Sequence, residues 1–531
     1  MGRKFSSQFV LAAALTSLVA VLWFSASFLW GIGLGAKDAA RFCILLTLSA
    51  LIFSGRKMWR KPDRWLAATC FVILFTFPLY LILRIFGQVD ILSVLFHINF
   101  GVEGVDFGIF AKDIRETAIA AAFVLFAAYA ITNILLLRKS VYLLVIGAML
   151  LGTPLTQQGI ASIARMQNPI ALTDYLEDPV IVPQTVRPDI IMIYLEGIER
   201  GFADVDIYGD LFAPLEKYEK IGISFTGVTQ VAGTGWSLAG LVATMCGVPT
   251  VPVGLAAKNN FTEQVDFMPD MTCFGDVLAR AGYQNKFVKG DRKEFAGIGN
   301  FLAAHGFSEI IDRSVIETLV SSDEIAAADA DGWVLDDELT FDVAFDVYSK
   351  AITDPKPLLL AVTSFGPHGG SAIVSRGCSE TGQAVLAPDL ARSVACTLSD
   401  MERFLERVQQ IRNDRPTMLV LLSDHLNHSN VMNSSQDIAE RHNTFILNAW
   451  DYAPLVEVDA IDQSKRASML DVYPTLLAYA GLAPADATAG LGRSLFGPGK
   501  NLVERYGLDA LNVNIFPNRE LSAAIWNPIG E

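Results

Sequence analysis

Residues 189–196 read DIIMIYLE, six apolar residues closed at each end by a carboxylate. A short apolar run without alternation is the pattern of a strand buried on both faces. Further strand-like runs are Gln284–Val288, Leu358–Thr363 and Met418–Leu422, the last two almost wholly apolar. Helix-like runs lie around them at Ser237–Met245, Phe274–Ala281, Phe341–Ile352, Leu390–Ile411 and Met469–Ala480. This alternation predicts an α/β domain with a mainly parallel central sheet covered on both faces. In such sheets, sites form outside the carboxyl ends of the strands. Glu196 follows the first run, His368 ends LLLAVTSFGPH, and Asp424-His425 end TMLVLLSDH. A fourth segment, SFTGVTQVAGTGWSLAGLVATMCGVPT (Ser224–Thr250), puts Thr234 between two glycines just ahead of a helix-like run. Four segments therefore point their chemistry at one sheet edge.

The residue types at that edge define a chemistry. Carboxylate oxygens from Glu196 and Asp424, with the imidazole of His425, suit Mn²⁺, Mg²⁺ or Zn²⁺. A threonine hydroxyl is a poor nucleophile at neutral pH, and a divalent cation beside it favours the alkoxide. The helix starting near Trp236 adds N-terminal amides that suit a phosphate or sulfate oxygen. Taken singly, an Asp-His pair after a strand is an ordinary cap, and a threonine between glycines an ordinary turn. Their joint occurrence carries the reading.

The chain has 531 residues, 52% of them hydrophobic, and a mean hydropathy of +0.38. That is too apolar for an ordinary soluble protein. The apolar excess lies in the first third, at Phe5–Ala36, Phe42–Gly55, Trp65–Leu83, Thr117–Leu137 and Ser140–Ala164. Each is a candidate membrane span. The second has only 14 uncharged residues, so a re-entrant piece is its alternative, although Arg41 and Arg56 could snorkel at its ends. Arg3 and Lys4, the cluster Arg56, Lys57, Arg60, Lys61 and Arg64, and the pair Arg138-Lys139 fall in alternate loops. The positive-inside rule places these loops in the cytoplasm. Five spans then form a transmembrane domain over 1–160, followed by a linker over 161–187 and an exported catalytic domain over 188–531. The expected location is a bacterial inner membrane, with the N-terminus cytoplasmic and the catalytic domain periplasmic. The first run has no small-residue cleavage site and reads as an uncleaved anchor.

A net charge of −15 argues against a nucleic-acid partner, and export removes the site from nucleotides. Cys246, Cys273, Cys378 and Cys396 all lie in the exported part, which suits an oxidising compartment. Proximity favours Cys246–Cys273 and Cys378–Cys396, while two other connectivities, or free buried thiols, stay open.

The order Glu196, Thr234, His368, Asp424-His425, closed by SMLDVYPTLLAYAGL and GRSLFG, resembles the sulfatase/alkaline phosphatase superfamily. TGWSLAGLVATMCGVP, FAGIGNFLAAHGFSE (Phe295–Glu309) and SDH narrow the resemblance to membrane phosphoglycerol transferases, including those acting on osmoregulated periplasmic glucans, relatives of lipoteichoic acid synthase. The resemblance implies one divalent cation, Mn²⁺ before Mg²⁺ or Zn²⁺, held by Glu196, Thr234, Asp424 and His425. It implies Thr234 as nucleophile and His368 as a phosphoglycerol contact or general acid/base. It also implies a phosphatidylglycerol donor in the membrane and a glucan acceptor. Lys289, Arg292, Phe295 and Asn300 fall in the segment where such enzymes hold the substrate, and Trp236 and His442 are further candidates. Arg292 and Lys293 read equally well as solvated charges. His428 could approach the site from the loop of His425, His305 reads as a helix cap, and His97 lies in a glycine-rich loop between spans. The competing enzyme readings are phosphoethanolamine transfer to lipid A or another envelope acceptor, and polyglycerolphosphate synthesis. Sulfatase chemistry is disfavoured because no CxPxR-type motif surrounds Thr234. A non-enzymatic membrane sensor would be expected to have lost metal-binding positions, and all four are present.

Overall fold

A computed structural model describes residues 169–526, apart from 252–265, 331, 369–371, 387–389, 413, 429–440 and 457–460. The five predicted spans and His97 lie outside the described residues. Among the described residues no helix is long and apolar enough to cross a membrane.

Seven strands form the central sheet: β1 (Asp189–Leu195), β2 (Ile223–Ser224), β3 (Gln284–Lys289), β4 (Glu309–Ile311), β5 (Leu358–Thr363), β6 (Thr417–Ser423) and β7 (Phe445–Trp450). Their order is β2-β7-β6-β1-β5-β3-β4. The pairings from β6 through β1, β5 and β3 to β4 are all parallel, and β7 runs antiparallel to both β6 and β2. All seven positions of β1 are buried. Ile190, Met192 and Tyr194 enter one core, and Ile191, Ile193 and Leu195 enter the other. An unbroken apolar run is therefore what this strand needs, because neither face meets water.

Helices α1 (Ser237–Cys246), α2 (Phe274–Arg280) and α5 (Val472–Tyr479) feed the first core, and α3 (Asp337–Ala351) and α4 (Leu390–Ile411) the second. Helix α3 begins four residues before the apolar pattern predicts. Asp336 caps it by accepting from the Leu339 N–H at 2.9 Å, and acids in a first turn suit the helix N-terminus. The predicted helix over Met469–Ala480 is a 3-10 turn, Met469–Asp471, running into α5. Cys246 at the end of α1 is bonded to Cys273 at the start of α2, and Cys378 to Cys396 of α4. Residues 169–187 lie along this domain: Leu172 is fully buried, and the Val182 N–H donates to the Leu482 carbonyl at 2.8 Å.

Two features aim the sheet at the site. At its far end, Arg415 grips the Asp189 carboxylate through Nε at 2.5 Å and a terminal nitrogen at 2.8 Å, and the Leu358 N–H adds a bond at 2.9 Å. One carboxylate thus ties the starts of β1, β5 and β6 together. At the near end, Leu195 is paired with Ser423, so Glu196 and Asp424 leave the sheet side by side. Helix α1 presses on this edge through Gly240, where a Cβ would lie 1.9 Å from the Asp424 carbonyl oxygen. Gly240→Ala should therefore destabilise the domain by about 3 kcal/mol, and an unchanged thermal midpoint would show that the approach is not tight.

Candidate active site

Glu196, Asp424 and His425 are each at least 96% buried. Their ligand atoms lie within 4.8 Å of one another. The His425 Nδ1–H donates to the Leu426 carbonyl at 2.8 Å. That bond turns Nε2 toward Glu196 Oε1 at 3.2 Å and Asp424 Oδ2 at 3.4 Å. Asp424 Oδ1 is already engaged by the Gly197 and His425 N–H groups at 3.0 and 2.9 Å. Glu196 Oε2 accepts from the Ser237 hydroxyl at 3.2 Å. One carboxylate oxygen from each acid and one imidazole nitrogen therefore face a common point.

Burial, and then the neighbouring Asp424 carboxylate, push the Glu196 carboxyl well above its ordinary range. For His425 burial opposes charge, but the Asp424 and Glu196 carboxylates outweigh it and hold the imidazole above its usual value. Without a cation, this cluster retains protons that a divalent ion would displace. Two carboxylates and an imidazole whose other nitrogen donates to a backbone carbonyl form a donor set that fits such an ion.

Thr234 is fully buried in the turn before α1. Its hydroxyl donates to the Val231 carbonyl at 2.8 Å and accepts from the Val231 N–H at 3.1 Å. Residues on both sides of it touch the loop that carries His425. Gln230 Oε1 accepts from the Leu426 N–H at 2.9 Å, and the His428 Nε2–H donates to the Gly235 carbonyl at 2.8 Å. Ser237 reaches Glu196, as above. His428 also stacks on His425, with centroids 4.5 Å apart. Trp236 is the residue capping α1, half-buried against the first core.

His368 lies beyond the end of β5, half-buried and stacked on Phe365 at 4.6 Å. Phe295 is half-buried, 5.8 Å from Trp333. Asn300 lies on the short helix Ile298–Ala304. Lys289 is buried in an ion pair with Asp291 at 3.0 Å. Arg292 is exposed, with Glu317 3.8 Å away. The His442 carbonyl accepts from the Arg200 N–H at 3.0 Å. His305 is buried next to α2, with Nδ1 2.9 Å from Asp276.

Sequence reading missed the layer behind these groups. Buried Glu199 takes a two-pronged ion pair from buried Arg441, with Nε–Oε1 at 2.8 Å. Glu199 also accepts from the Asn427 N–H at 2.9 Å, and Arg441 donates to the Asn427 carbonyl at 2.7 Å. Gly197, at φ +59°, brings the chain so close that a Cβ would meet Asn427 Nδ2 at 2.7 Å. These contacts hold the loops after β1 and β6 together. The only available signal was an acid three residues beyond Glu196, which names no partner 242 residues away.

Residues 188–482 match the sulfatase family. With more than half of its length in that match, the chain belongs to the sulfatase family. Its curated relatives include the phosphoglycerol transferase I of Xanthomonas campestris pv. campestris, 29% identical over 317 residues, 59% of this chain and 43% of the relative. The protein of the same name from Xanthomonas euvesicatoria is 26% identical over 481 residues, 85% of this chain and 64% of the relative. The chain thus spans less than two thirds of either relative. Among solved structures, the lipoteichoic acid synthase LtaP of Listeria monocytogenes superposes with a TM-score of 0.45 at 14% identity, covering 61% of this chain and 80% of that one.

Two outcomes follow from the site. Mn²⁺ binding to the cation-free protein should release protons, because Glu196 and His425 both titrate above their ordinary values. Affinity should therefore weaken as pH falls, by about tenfold per pH unit for each proton displaced. Calorimetry in buffers of different ionisation enthalpy reads this directly, and a pH-independent affinity would exclude the exchange. Arg441→Met should cost about 3–5 kcal/mol, since it strands the Glu199 charge. Arg441→Met with Glu199→Met should cost less, as read from denaturation midpoints.

Proposed function

We propose that this chain transfers phosphoglycerol from phosphatidylglycerol in the membrane to a hydroxyl of a periplasmic glucan, in two displacements through Thr234. The reading includes the topology expected from the sequence: a five-span anchor in the inner membrane, a cytoplasmic N-terminus and a periplasmic catalytic domain. The anchor keeps the site beside a donor that stays in the bilayer. The observation that carries the reading is the bracketing of Thr234. Contacts from Gln230, Gly235 and Ser237 tie both sides of its turn to the loops of Glu196 and His425. The names of the curated relatives support phosphoglycerol as the group carried.

In the first displacement the Thr234 oxygen attacks phosphorus, the bond to the diacylglycerol oxygen breaks, and that oxygen takes a proton. A phosphoglycerol ester of Thr234 remains. In the second, the acceptor hydroxyl attacks phosphorus, loses its proton, and the Thr234–phosphorus bond breaks. A divalent cation, Mn²⁺ by preference, would be held by Glu196, Asp424, His425 and the Thr234 oxygen, and supplies positive charge against the nucleophile and phosphoryl oxygens. His368 gives a proton to the leaving oxygen and takes one from the incoming hydroxyl. The Val231 carbonyl fixes the resting Thr234 proton; this proton passes to solvent before attack and is regained from solvent when the Thr234–phosphorus bond breaks.

The test incubates the purified full-length protein with head-group-labelled phosphatidylglycerol, Mn²⁺ and glucan. Label should appear on Thr234 and then on glucan, and Thr234→Ala should lower transfer by at least about a thousandfold. Label passing only to water would reduce the activity to phosphodiester hydrolysis. Consumption of phosphatidylethanolamine in place of phosphatidylglycerol would move the assignment to phosphoethanolamine transfer.

A further inference from the structure

The start of α3 anchors the loop that carries His368. Asp337 Oδ1 accepts from the Phe365 N–H at 2.7 Å, and Oδ2 accepts from the Gly366 N–H at 2.9 Å. The Thr397 hydroxyl of α4 donates to the same Oδ2 at 2.5 Å. The fit leaves no room: a Cβ on Gly366 would lie 2.7 Å from Asp337 Oδ2 and 2.4 Å from Thr397 Oγ1. From this anchored pair the chain turns once, the His368 N–H donating to the Phe365 carbonyl at 3.0 Å, and returns through an Ile373 N–H bond to the Gly366 carbonyl at 2.7 Å.

The ring of His368 is bounded as well as its backbone. It stacks on Phe365, with centroids 4.6 Å apart and planes within 4°. Trp333, four residues before Asp337, stands perpendicular to both rings, 5.3 Å from His368 and 4.7 Å from Phe365. Phe295 packs edge-to-face with Trp333 at 5.8 Å. Rings in such offset-stacked and edge-to-face arrangements attract beyond the area they bury. A half-buried histidine without walls would sample several rotamers, whereas one with a stacked and a perpendicular neighbour keeps its plane. A proton-transfer group must be within hydrogen-bond reach of its target, so fixing that plane bears on rate.

We propose that Asp337 and Trp333 are positioning residues for His368: Asp337 fixes the backbone from which the imidazole projects, and Trp333 fixes the plane of its ring. This rests on the proton-transfer role given to His368 above. The sequence context hides both residues. Asp337 lies ahead of the helix that the apolar pattern predicts, and Trp333 follows the acidic stretch DADG.

The test uses the full-length protein in detergent with Mn²⁺ and labelled phosphatidylglycerol. The variants are Trp333→Met, Trp333→Phe, Asp337→Asn and His368→Asn, together with the double variant Trp333→Met/His368→Asn. Trp333→Met and Asp337→Asn should each lower kcat by about tenfold to a hundredfold, with KM changed less than about threefold. The limb of the pH profile that His368→Asn abolishes should move in both. Trp333→Phe should restore most of kcat. In the double variant, loss of Trp333 should add almost nothing to loss of His368. Mn²⁺ affinity, read by calorimetry, should stay unchanged in every variant and reports an intact domain. If Trp333→Met loses that affinity, Asp337→Asn alone decides by the same criteria. Additive losses in the double variant, or a wild-type kcat and pH profile in Trp333→Met and Asp337→Asn beside an impaired His368→Asn, overturn the inference and leave the role of His368 standing. Full activity in His368→Asn overturns that role itself.

Discussion

Glu196 and Asp424 are two carboxylates buried within reach of one imidazole, and the repulsion between them is a cost the folded domain has to offset. Part of the offset is local. Backbone N–H groups of Gly197 and His425 neutralise one oxygen of Asp424, and the Ser237 hydroxyl serves one of Glu196. The remainder is left facing inward. Such a cluster survives only where the surrounding chain cannot move away, because a flexible edge would relax the two acids into water. Much of the architecture serves that requirement. The Leu195–Ser423 pairing sets the two exits side by side. The Asp189–Arg415 grip at the opposite end opposes a slip of β1 against β6, which would turn one acid to the other face.

The Glu199–Arg441 pair belongs to the same logic. A fully buried ion pair is seldom a source of net stability, because desolvation consumes most of the attraction. Its contribution here is direction. Arg441 and Glu199 together bond the N–H and carbonyl of Asn427, and Asn427 donates to the Pro367 carbonyl at 3.1 Å. Three loops, those following β1, β5 and β6, are thereby linked through one buried ion pair and Asn427. An apolar replacement of similar volume could fill the space but would not specify which loop meets which.

Legibility in the sequence followed burial. Strands covered on both faces must be apolar throughout, so β1, β5 and β6 stood out, and the polar residues that follow them were conspicuous by contrast. The two- and three-residue strands β2 and β4 are too short to carry a pattern. The start of α3 carries no apolar pattern: its first turn is acidic, and only the Asp336 cap marks it as helix. Nothing in the lysine that ends β3 announces that Asp291, two residues on, pairs with its charge. Glu199 with Arg441, and Trp333 with His368, are pairs made by topology. Neither member announces the other at a distance along the chain, and both pairs lie one layer behind the groups that the sequence displays.

Thr234 shows how the layers combine. Serine would supply the same oxygen, but threonine is branched at Cβ and has fewer accessible side-chain rotamers. Here the hydroxyl is further held by a donor and an acceptor from a single residue, Val231, in a turn that Gly233 closes at φ +79°. The hydroxyl proposed as nucleophile is thus oriented by its own stereochemistry and its own turn, and the turn is oriented by Gln230, Gly235 and Ser237. None of these contacts requires substrate to be present. The ordering of this hydroxyl is therefore completed during folding, and under the proposed mechanism the binding energy of the lipid donor remains available for bringing phosphorus into line with the Thr234 oxygen.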